Sequence, residues 1–220
     1  MSTTRTNYIT GSYYFRRSNK FIIHHLIFIS INTLYPIFLK TENFNILIVG
    51  GGFVGTEKLS FILKNSPNAN ITVVAKEISQ EIRSIVDRRP STVLIEKEFE
   101  NSDLENKQLV IAATADKTLN ESIYQAAKAR HILINVADTP ELCDFYLGSV
   151  VSKGDLKIAI STNGKSPTMS KRLREFFEDI LPDNINDLIL NLNEYRNSLK
   201  GNFEEKVNAL NEITKNFLKR

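Results

Sequence analysis

A glycine cluster carries the clearest chemical signal in the sequence. Gly50, Gly52 and Gly55 follow the run 45–49 (NILIV), which we interpret as a buried β-strand. In a strand–turn–helix unit such glycines supply a tight turn, a bare backbone that a pyrophosphate can approach, and a close helix–strand contact. Phe53 and Val54 then open a helix whose N-terminal N–H groups and positive dipole end favour phosphate. The spacing predicts a dinucleotide site, and the alternative is a glycine-rich turn with a purely structural role.

A carboxylate after a later apolar run is the candidate for acid–base chemistry. Asp138 follows the predicted strand 132–136 and precedes Pro140, whose ring stiffens the turn. We expect this carboxylate to be partly desolvated between cofactor and substrate, which would make it a usable base. Asn135, from the same strand, is expected to contact the substrate. The alternative for Asp138 is a residue that hydrogen-bonds its own backbone in an Asx-type turn.

Two further loops concern the cofactor. Thr114 follows the predicted strand 109–113 and would lie beside the nicotinamide half of a dinucleotide, unless this loop only caps the next helix through Asp116. An acidic residue usually ends the second strand of such a unit and binds the adenosine ribose. Here the sequence has Lys76 and, slightly late, Glu77. Since a lysine could favour a 2′-phosphate, we expect NAD as the cofactor and leave NADP open.

The segment 161–168 (STNGKSPT) is a candidate anion site. Ser166 is a good helix N-cap, and Pro167 suits the first helical position. Lys165 and the free N–H groups could bind the carboxylates of a polyanionic substrate, together with three cations further along the helix, Lys171, Arg172 and Arg174. Capping and anion binding are compatible at this segment.

A sheet is needed to bring these residues together, and the chain from residue 34 alternates strands and helices accordingly. The predicted strands are 45–49, 71–75, 92–95, 109–113 and 132–136, with predicted helices including 78–86 and 117–130. This order is typical of a Rossmann-like α/β fold, a doubly wound parallel sheet ending near residue 144. A hairpin follows, with runs 147–152 and 156–160, and then an amphipathic helix begins at Ser166.

Composition sets limits on the function. The formal net charge of +3 includes four positive charges in the acid-free residues 1–33, so the rest of the chain carries −1 and basicity gives no argument for nucleic acid. The single cysteine, Cys143, rules out an internal disulfide and fits a reducing compartment. The three histidines are too few and too badly spaced for a structural metal site.

Residues 1–33 differ from the rest of the chain. Their apolar run, 21–31, is interrupted by two histidines and has about half the length of a membrane span, so we expect no membrane contact. Their basic, hydroxyl-rich composition resembles a transit peptide or an adventitious start. We therefore interpret residues 1–33 as a disordered or adventitious extension without catalytic residues.

The motifs, in their order and spacing, resemble those of the precorrin-2 dehydrogenase family, which is the oxidase and ferrochelatase module of sirohaem synthase. The matching segments are 34–40 (LYPIFLK), 50–55 (GGGFVG), 112–114 (AAT), 135–138 (NVAD), 143–145 (CDF) and 159–167 (AISTNGKSP). The resemblance covers residue 34 to about residue 181. Beyond residue 181 the chain shares only a helical pattern with the family. Gly55 stands where many members have alanine.

The resemblance implies NAD-dependent oxidation of precorrin-2 to sirohydrochlorin and, in several members, insertion of ferrous iron. It also implies a homodimer, which the reducing compartment suggested by the single cysteine places in the cytoplasm, a carboxylate at Asp138 that serves both reactions, and a serine at Ser166 near the substrate. Any iron would be held transiently at Asp138, without a resident metal. The chain would then comprise a dinucleotide-binding domain (34–144), a dimerisation and substrate segment (145–181) and a helical C-terminal region (182–220).

Two other functions share part of the pattern. A regulatory NAD-binding module of the potassium-transport type also has a strand followed by Gly-Gly-Gly-x-Val-Gly, but such modules usually end the second strand with an acid. A short-chain oxidoreductase needs a Tyr and a Lys four residues apart on a helix, a spacing that Tyr124 and Lys128 have. These two lie on the helix after the fourth strand rather than on a later one, so an ordinary solvated face explains them better.

Overall fold

The computed structural model describes residues 32–87, 89 and 91–215. The parallel strands are β1 (Asn45–Val49), β2 (Asn70–Ala75), β3 (Thr92–Glu96), β4 (Leu109–Ala112) and β5 (Leu133–Val136). The helices between them are α1 (Phe53–Asn65), α2 (Gln80–Val86) and α3 (Lys117–Lys128). The five strands form one sheet in the order β3-β2-β1-β4-β5, which confirms the predicted Rossmann-like sheet.

The two faces of the sheet are buried by different helices. Ile46 and Ile48 of β1 face a core that includes Leu59 of α1, whereas Leu47 and Val49 face a second core that includes Ile123 of α3. All six of these side chains are almost fully buried. The central strand β1 therefore reads as a continuous apolar run because both of its faces are covered.

The start of β5 differs from the prediction by one residue, for a local reason. Helix α3 ends at Lys128, and His131 then takes a left-handed conformation with φ of 57°. The N–H of Ile132 donates to the carbonyl oxygen of Ala127 at 3.0 Å, so Ile132 closes the helix instead of joining the sheet. The strand pairs with β4 only from Leu133 onward.

The predicted hairpin is present as β6 (Ser149–Lys153) and β7 (Leu156–Ile160), paired antiparallel. Three helices follow it, α4 (Pro167–Ile180), α5 (Ile185–Ser198) and α6 (Phe203–Thr214). Helix α4 packs on β6 and α5 on β7. The turn of the hairpin is tied to α5 because Asn186 Oδ1 accepts from the N–H of Asp155 at 2.8 Å.

The apolar face of α4 is exposed rather than buried. Its members are Met169, Leu173, Phe176 and Ile180, which retain 36–55% of their accessible surface. They recur at intervals of three and four residues, so they form one continuous stripe along the helix. The sequence predicted this stripe correctly as a pattern, but its surface is not covered by the described part of this chain.

The chain divides into two units, Met1–Thr33 and Leu34–Arg220. The prediction that residues 1–33 form a disordered or adventitious extension falls outside the described residues, apart from Asn32 and Thr33. Among the helices that the structure describes, none combines the length and apolarity that crossing a membrane requires.

Candidate functional site

The C-terminal edge of the sheet brings the predicted loops together. Because β1 lies between β2 and β4, the connections that leave β1 and β4 run in opposite directions and open a crevice at this edge. The glycine turn is anchored to β2, because the N–H of Gly50 donates to Val74 O at 2.9 Å. The loop after β4 is anchored to β1, because the N–H of Ala113 donates to Val49 O at 2.8 Å. Both loops are therefore fixed at the crevice.

Each of the predicted glycines has different surroundings. Gly50 has φ of +126°, and a Cβ atom there would overlap the carbonyl oxygen of Ala113. A Cβ on Gly55 would overlap the carbonyl oxygen of Gly50. A Cβ on Gly52 would have no atom within 4 Å. The turn is thus tight, α1 is held close to it, and the space over Gly52 is open, which is the geometry that a pyrophosphate needs.

The N-terminus of α1 faces this open space. Its N-cap, Gly52, offers no capping side chain, and the first turn holds no acidic residue. Phe53 is 84% exposed beside the turn, while Val54 is half-buried against the first core. The N–H groups of this turn and the positive end of the helix dipole suit a bound phosphate, so the residues present fit a dinucleotide.

The loop after β4 is organised by its own side chains. Asp116 caps α3, accepting from the N–H groups of Thr118 at 2.9 Å and Leu119 at 3.1 Å, so the capping interpretation is correct. The hydroxyl of Thr114 lies 2.7 Å from Asn120 Oδ1, to which it donates. Thr114 therefore closes the loop, and its contact with the nicotinamide stays a prediction.

The end of β2 presents an ion pair. Lys76 Nζ lies 2.8 Å from Glu98 Oε1, with both side chains largely exposed. Their hydrogen bond and charges raise the pKa of Lys76 and lower the pKa of Glu98. A lysine already paired with a carboxylate is a weaker attractant for a 2′-phosphate, because Glu98 offsets its charge.

Asp138 occupies an unusual backbone conformation after β5. Its φ of 57° lies in the left-handed region, and its side chain is exposed. Within the described part of the chain its carboxylate makes no hydrogen bond or ion pair, so the interpretation as an Asx-type turn is wrong. The carboxylate is available to a ligand.

A cavity of about 470 Å³ lies beside this carboxylate. Its walls come from α1, the end of β5, the hairpin and the start of α4, and they include Asn135, Asp138, Ser161 and Thr162. Asn135 is buried, and its Nδ2 donates to the carbonyl oxygen of Phe145 at 2.9 Å. The volume falls within the usual range for small-molecule sites.

Three of the predicted substrate residues do not line this cavity. Arg172 does not belong to the cavity lining and pairs with Glu175 at 2.9 Å, so its contact with the substrate stays a prediction. Ser166 is the N-cap of α4, accepting from the N–H of Met169 at 3.2 Å, and lies outside the lining. Lys165 lies outside it as well, although its neighbour Gly164 belongs to it.

The cavity lining contains other cations, and among them the sequence analysis named only the arginine as a possible ligand of substrate carboxylates. They are Lys58 and Lys64 of α1 and Arg174 of α4. Lys58 pairs with Glu57 at 3.1 Å, and Arg174 pairs with Glu178 at 2.6 Å. Successive helical residues are about 100° apart, so Arg174 projects nearly opposite Arg172. The sequence shows that these arginines differ in direction, but only the fold shows which of them faces the cavity.

The sequence offers two other arrangements, a metal site and a Tyr–Lys pair. In residues 32–87, 89 and 91–215 no group of three or more His, Cys, Asp or Glu side chains is arranged to hold a metal ion. Tyr124 is half-buried against the second core, and Lys128 pairs with Asp144 at 2.6 Å. Tyr124 and Lys128 therefore have structural partners, although Tyr124 packs against a core and does not belong to the solvated face that the sequence analysis expected.

Comparison with known proteins matches most of the chain. A family model described as "Putative NAD(P)-binding" matches residues 37–149, and one described as "Sirohaem biosynthesis protein central" matches residues 153–180. A solved structure, "SirC, precorrin-2 dehydrogenase", is similar with a TM-score of 0.64 and 26% sequence identity, covering 82% of this chain and 89% of that one.

Curated relatives carry the name siroheme synthase. The protein from Pseudoalteromonas atlantica is 37% identical over 169 residues, covering 77% of this chain and 36% of that protein. Siroheme synthase 1 from Klebsiella pneumoniae is 36% identical over 165 residues, covering 75% of this chain and 34% of that protein. The chain thus spans about a third of the length of the curated relatives it matches.

Proposed function

This chain belongs to the family of NAD(P)-binding sirohaem-biosynthesis proteins, and on that premise we propose that it oxidises precorrin-2 to sirohydrochlorin with NAD. The reaction removes a hydride and a proton from the tetrapyrrole. NAD, when bound, supplies the hydride acceptor. The protein must therefore hold a dinucleotide, hold a polycarboxylate macrocycle, and provide a group that takes the proton.

The single observation that carries this proposal is the position of Asp138. Its carboxylate is exposed, has no partner in the described part of the chain, and lines the cavity next to the sheet edge where the glycine turn lies. A carboxylate without an internal partner can accept the substrate proton at Oδ1 or Oδ2. Closure of the site by substrate would remove water from it and make it a stronger base.

The cationic walls supply the binding energy for the substrate. Precorrin-2 bears eight carboxylates, and Lys58, Lys64 and Arg174 line the cavity on two of its sides. We propose that these side chains bind substrate carboxylates, with the guanidinium of Arg174 exchanging its contact with Glu178 for the substrate. The polar residues Ser161 and Thr162 complete this wall as hydrogen-bonding groups.

The test is an anaerobic absorbance assay with precorrin-2 and NAD. Asp138→Asn removes the charge while keeping a side chain that tolerates the left-handed conformation. We expect kcat to fall by about 10²–10⁴-fold, the usual contribution of a positioned base, with NAD binding unchanged. The matched control is Asp87→Asn, at the exposed end of α2, which should retain full activity. Normal turnover of Asp138→Asn would show that this carboxylate is not the base.

A second proposed activity, insertion of ferrous iron, rests on the same carboxylate. Metal insertion requires a group that accepts the pyrrole protons and holds the incoming ion weakly enough to release it, and a lone carboxylate does both. Addition of ferrous iron to the same cuvette after oxidation separates the two steps. Loss of the second spectral change, but not of the first, in an otherwise active protein would limit the function to dehydrogenation.

We further propose that the chain forms a homodimer through the exposed stripe on α4. Met169 and Phe176 are 54% and 55% exposed, which is costly for a stripe of this length in water. Phe176→Glu should convert the dimer to a monomer in sedimentation analysis, whereas Lys171→Glu, on another face, should not. A monomeric wild-type protein would refute this interface.

The remaining alternatives have less support. None of the relatives described above favours a regulatory module of the potassium-transport type, and the segment 153–180 matches a sirohaem-biosynthesis model instead. The cytoplasmic location that we propose rests on the single cysteine, which suits a reducing compartment. Of the two cofactors, we propose NAD, because Glu98 offsets the charge of Lys76.

A further inference from the structure

The loop that carries Asp138 folds back along the open edge of β5. After the short helix Pro140–Leu142, the N–H of Asp144 donates to Ile134 O at 2.8 Å, and Asp144 Oδ2 accepts from the N–H of Ile134 at 3.1 Å. This returning segment forms hydrogen bonds with the backbone N–H and carbonyl groups on the edge of β5, as a neighbouring strand would. It also places Cys143 beside the turn that holds Asp138.

The thiol of Cys143 contacts both ends of that turn. Its Sγ lies 3.4 Å from the backbone N of Val136 and 3.3 Å from Val136 O, directly before the turn. The same Sγ lies 3.3 Å from the carbonyl oxygen of Thr139, directly after Asp138. A fourth contact, at 3.4 Å, comes from Asn135 Nδ2. One sulfur atom therefore brackets the residues that determine where Asp138 points.

Asp138 has little else to hold it. Its side chain has no partner in the part of the chain that the structure describes, and its φ of 57° costs energy for a residue with a Cβ. The hydrogen bonds within the turn are long, since Thr139 N and Thr139 Oγ1 donate to Val136 O and Ala137 O at 3.3 Å each, and the shorter ones fix only its two ends, from Ala137 N to Ala112 O at 2.9 Å and from Leu142 N to Thr139 O at 3.0 Å. Such a conformation persists only when neighbouring groups impose it.

We propose that Cys143 is a positioning residue, whose thiol holds the Asp138 turn so that the carboxylate points into the cavity. This inference rests on the proposed role of Asp138. Burial raises the pKa of the Cys143 thiol, so the sulfur keeps its proton and can donate to the carbonyl oxygens. A thiolate at the same place would be repelled by those oxygens.

The test compares Cys143→Ala with Cys143→Ser. The alanine variant should lower kcat by about tenfold, because a small misplacement of a catalytic group is costly, while the KM for NAD stays unchanged. The serine variant keeps a hydroxyl that can bond one end of the turn, so it should recover part of the lost kcat. Leu142→Ala is the matched control, since Leu142 packs against the second core and should lower the melting temperature without a selective loss of kcat.

Amide hydrogen exchange gives a readout that does not depend on activity. In Cys143→Ala, the amides of Val136, which donates to Sγ, and of Thr139 should exchange faster, and those of β1 should be unchanged. Wild-type exchange at the turn together with wild-type kcat would overturn the inference. If Asp138→Asn were fully active while Cys143→Ala still loosened the turn, Asp138 would not be the base, but the positioning role of Cys143 would be supported. If Asp138→Asn were inactive while Cys143→Ala had wild-type kcat and wild-type amide exchange, only the positioning role of Cys143 would be refuted.

Discussion

Replacing Gly52 by alanine separates ligand binding from folding. Gly52 has φ of −90° and ψ of −159°, an extended conformation that alanine adopts without strain. Its added methyl group would meet no protein atom within 4 Å. Alanine restricts the unfolded chain, which stabilises the fold by up to about 1 kcal/mol, but it is a poorer N-cap for α1 than glycine, which costs a similar amount. We therefore expect the free energy of unfolding to stay within about 1 kcal/mol of the wild type. The methyl group would instead occupy the space through which a pyrophosphate reaches the backbone.

The magnitude follows from packing. Forcing one methyl group into a close contact typically costs about 1–3 kcal/mol. Expressed as a dissociation constant, this is a weakening of about 5- to 150-fold. The assay is a calorimetric titration with NAD, run beside a thermal unfolding experiment on the same variant. We expect a clear loss of affinity with a melting temperature within about 4 °C of that of the wild type.

Gly50→Ala is the matched control, two residues away. Its φ of +126° is unfavourable for alanine, and the new Cβ would overlap the carbonyl oxygen of Ala113. The strain alone should cost about 1–3 kcal/mol, and each kcal/mol lowers the melting temperature of a protein of this length by about 2–4 °C. If Gly52→Ala bound NAD as tightly as the wild type, the dinucleotide would not pass over Gly52, and the proposed cofactor site would be wrong.

Three further predictions follow from the described contacts. Ser166→Ala removes the N-cap of α4 and should lower the unfolding free energy by about 1 kcal/mol, measured by urea denaturation; an unchanged midpoint would exclude the cap. Arg174→Ala should raise the KM for precorrin-2 more than Arg172→Ala, since only Arg174 lines the cavity, and equal effects would contradict this assignment. Burial raises the pKa of Cys143, so the unfolded state loses this proton first as pH rises. Stability should therefore fall above about pH 8.5, the ordinary thiol pKa, and fall less in Cys143→Ser; parallel curves would speak against it.

The sequence predicted those features that depend on local chemistry. The strand before Gly50, the cap at Ser166 and the hairpin turn at Gly154 each follow from a few neighbouring residues, and all are present. The cap at Asp116 was correctly proposed as an alternative for its loop. The hydrogen bonds of the two caps and of the hairpin turn join residues only a few positions apart, whereas the strand before Gly50 follows from its continuous apolar run.

The features that could not be predicted depend on how distant elements meet. An amphipathic pattern shows that α4 has an apolar stripe, but it does not show whether this chain or another molecule covers Phe176. The choice between Arg172 and Arg174 likewise needs the orientation of α4 against α1, which brings Lys58 to the same cavity. No short pattern signals the role of Cys143, because its sulfur acts on a turn four to seven residues away.

The two cores constrain the length of β1. Because alternate residues of this strand enter opposite cores, inserting or deleting one residue would send Ile48 to the face that now receives Val49. The same change would move Gly50 about 3.3 Å along the edge, away from Ala113. Evolutionary gaps should thus be rare between residues 45 and 55 and collect in exposed connections such as 200–202.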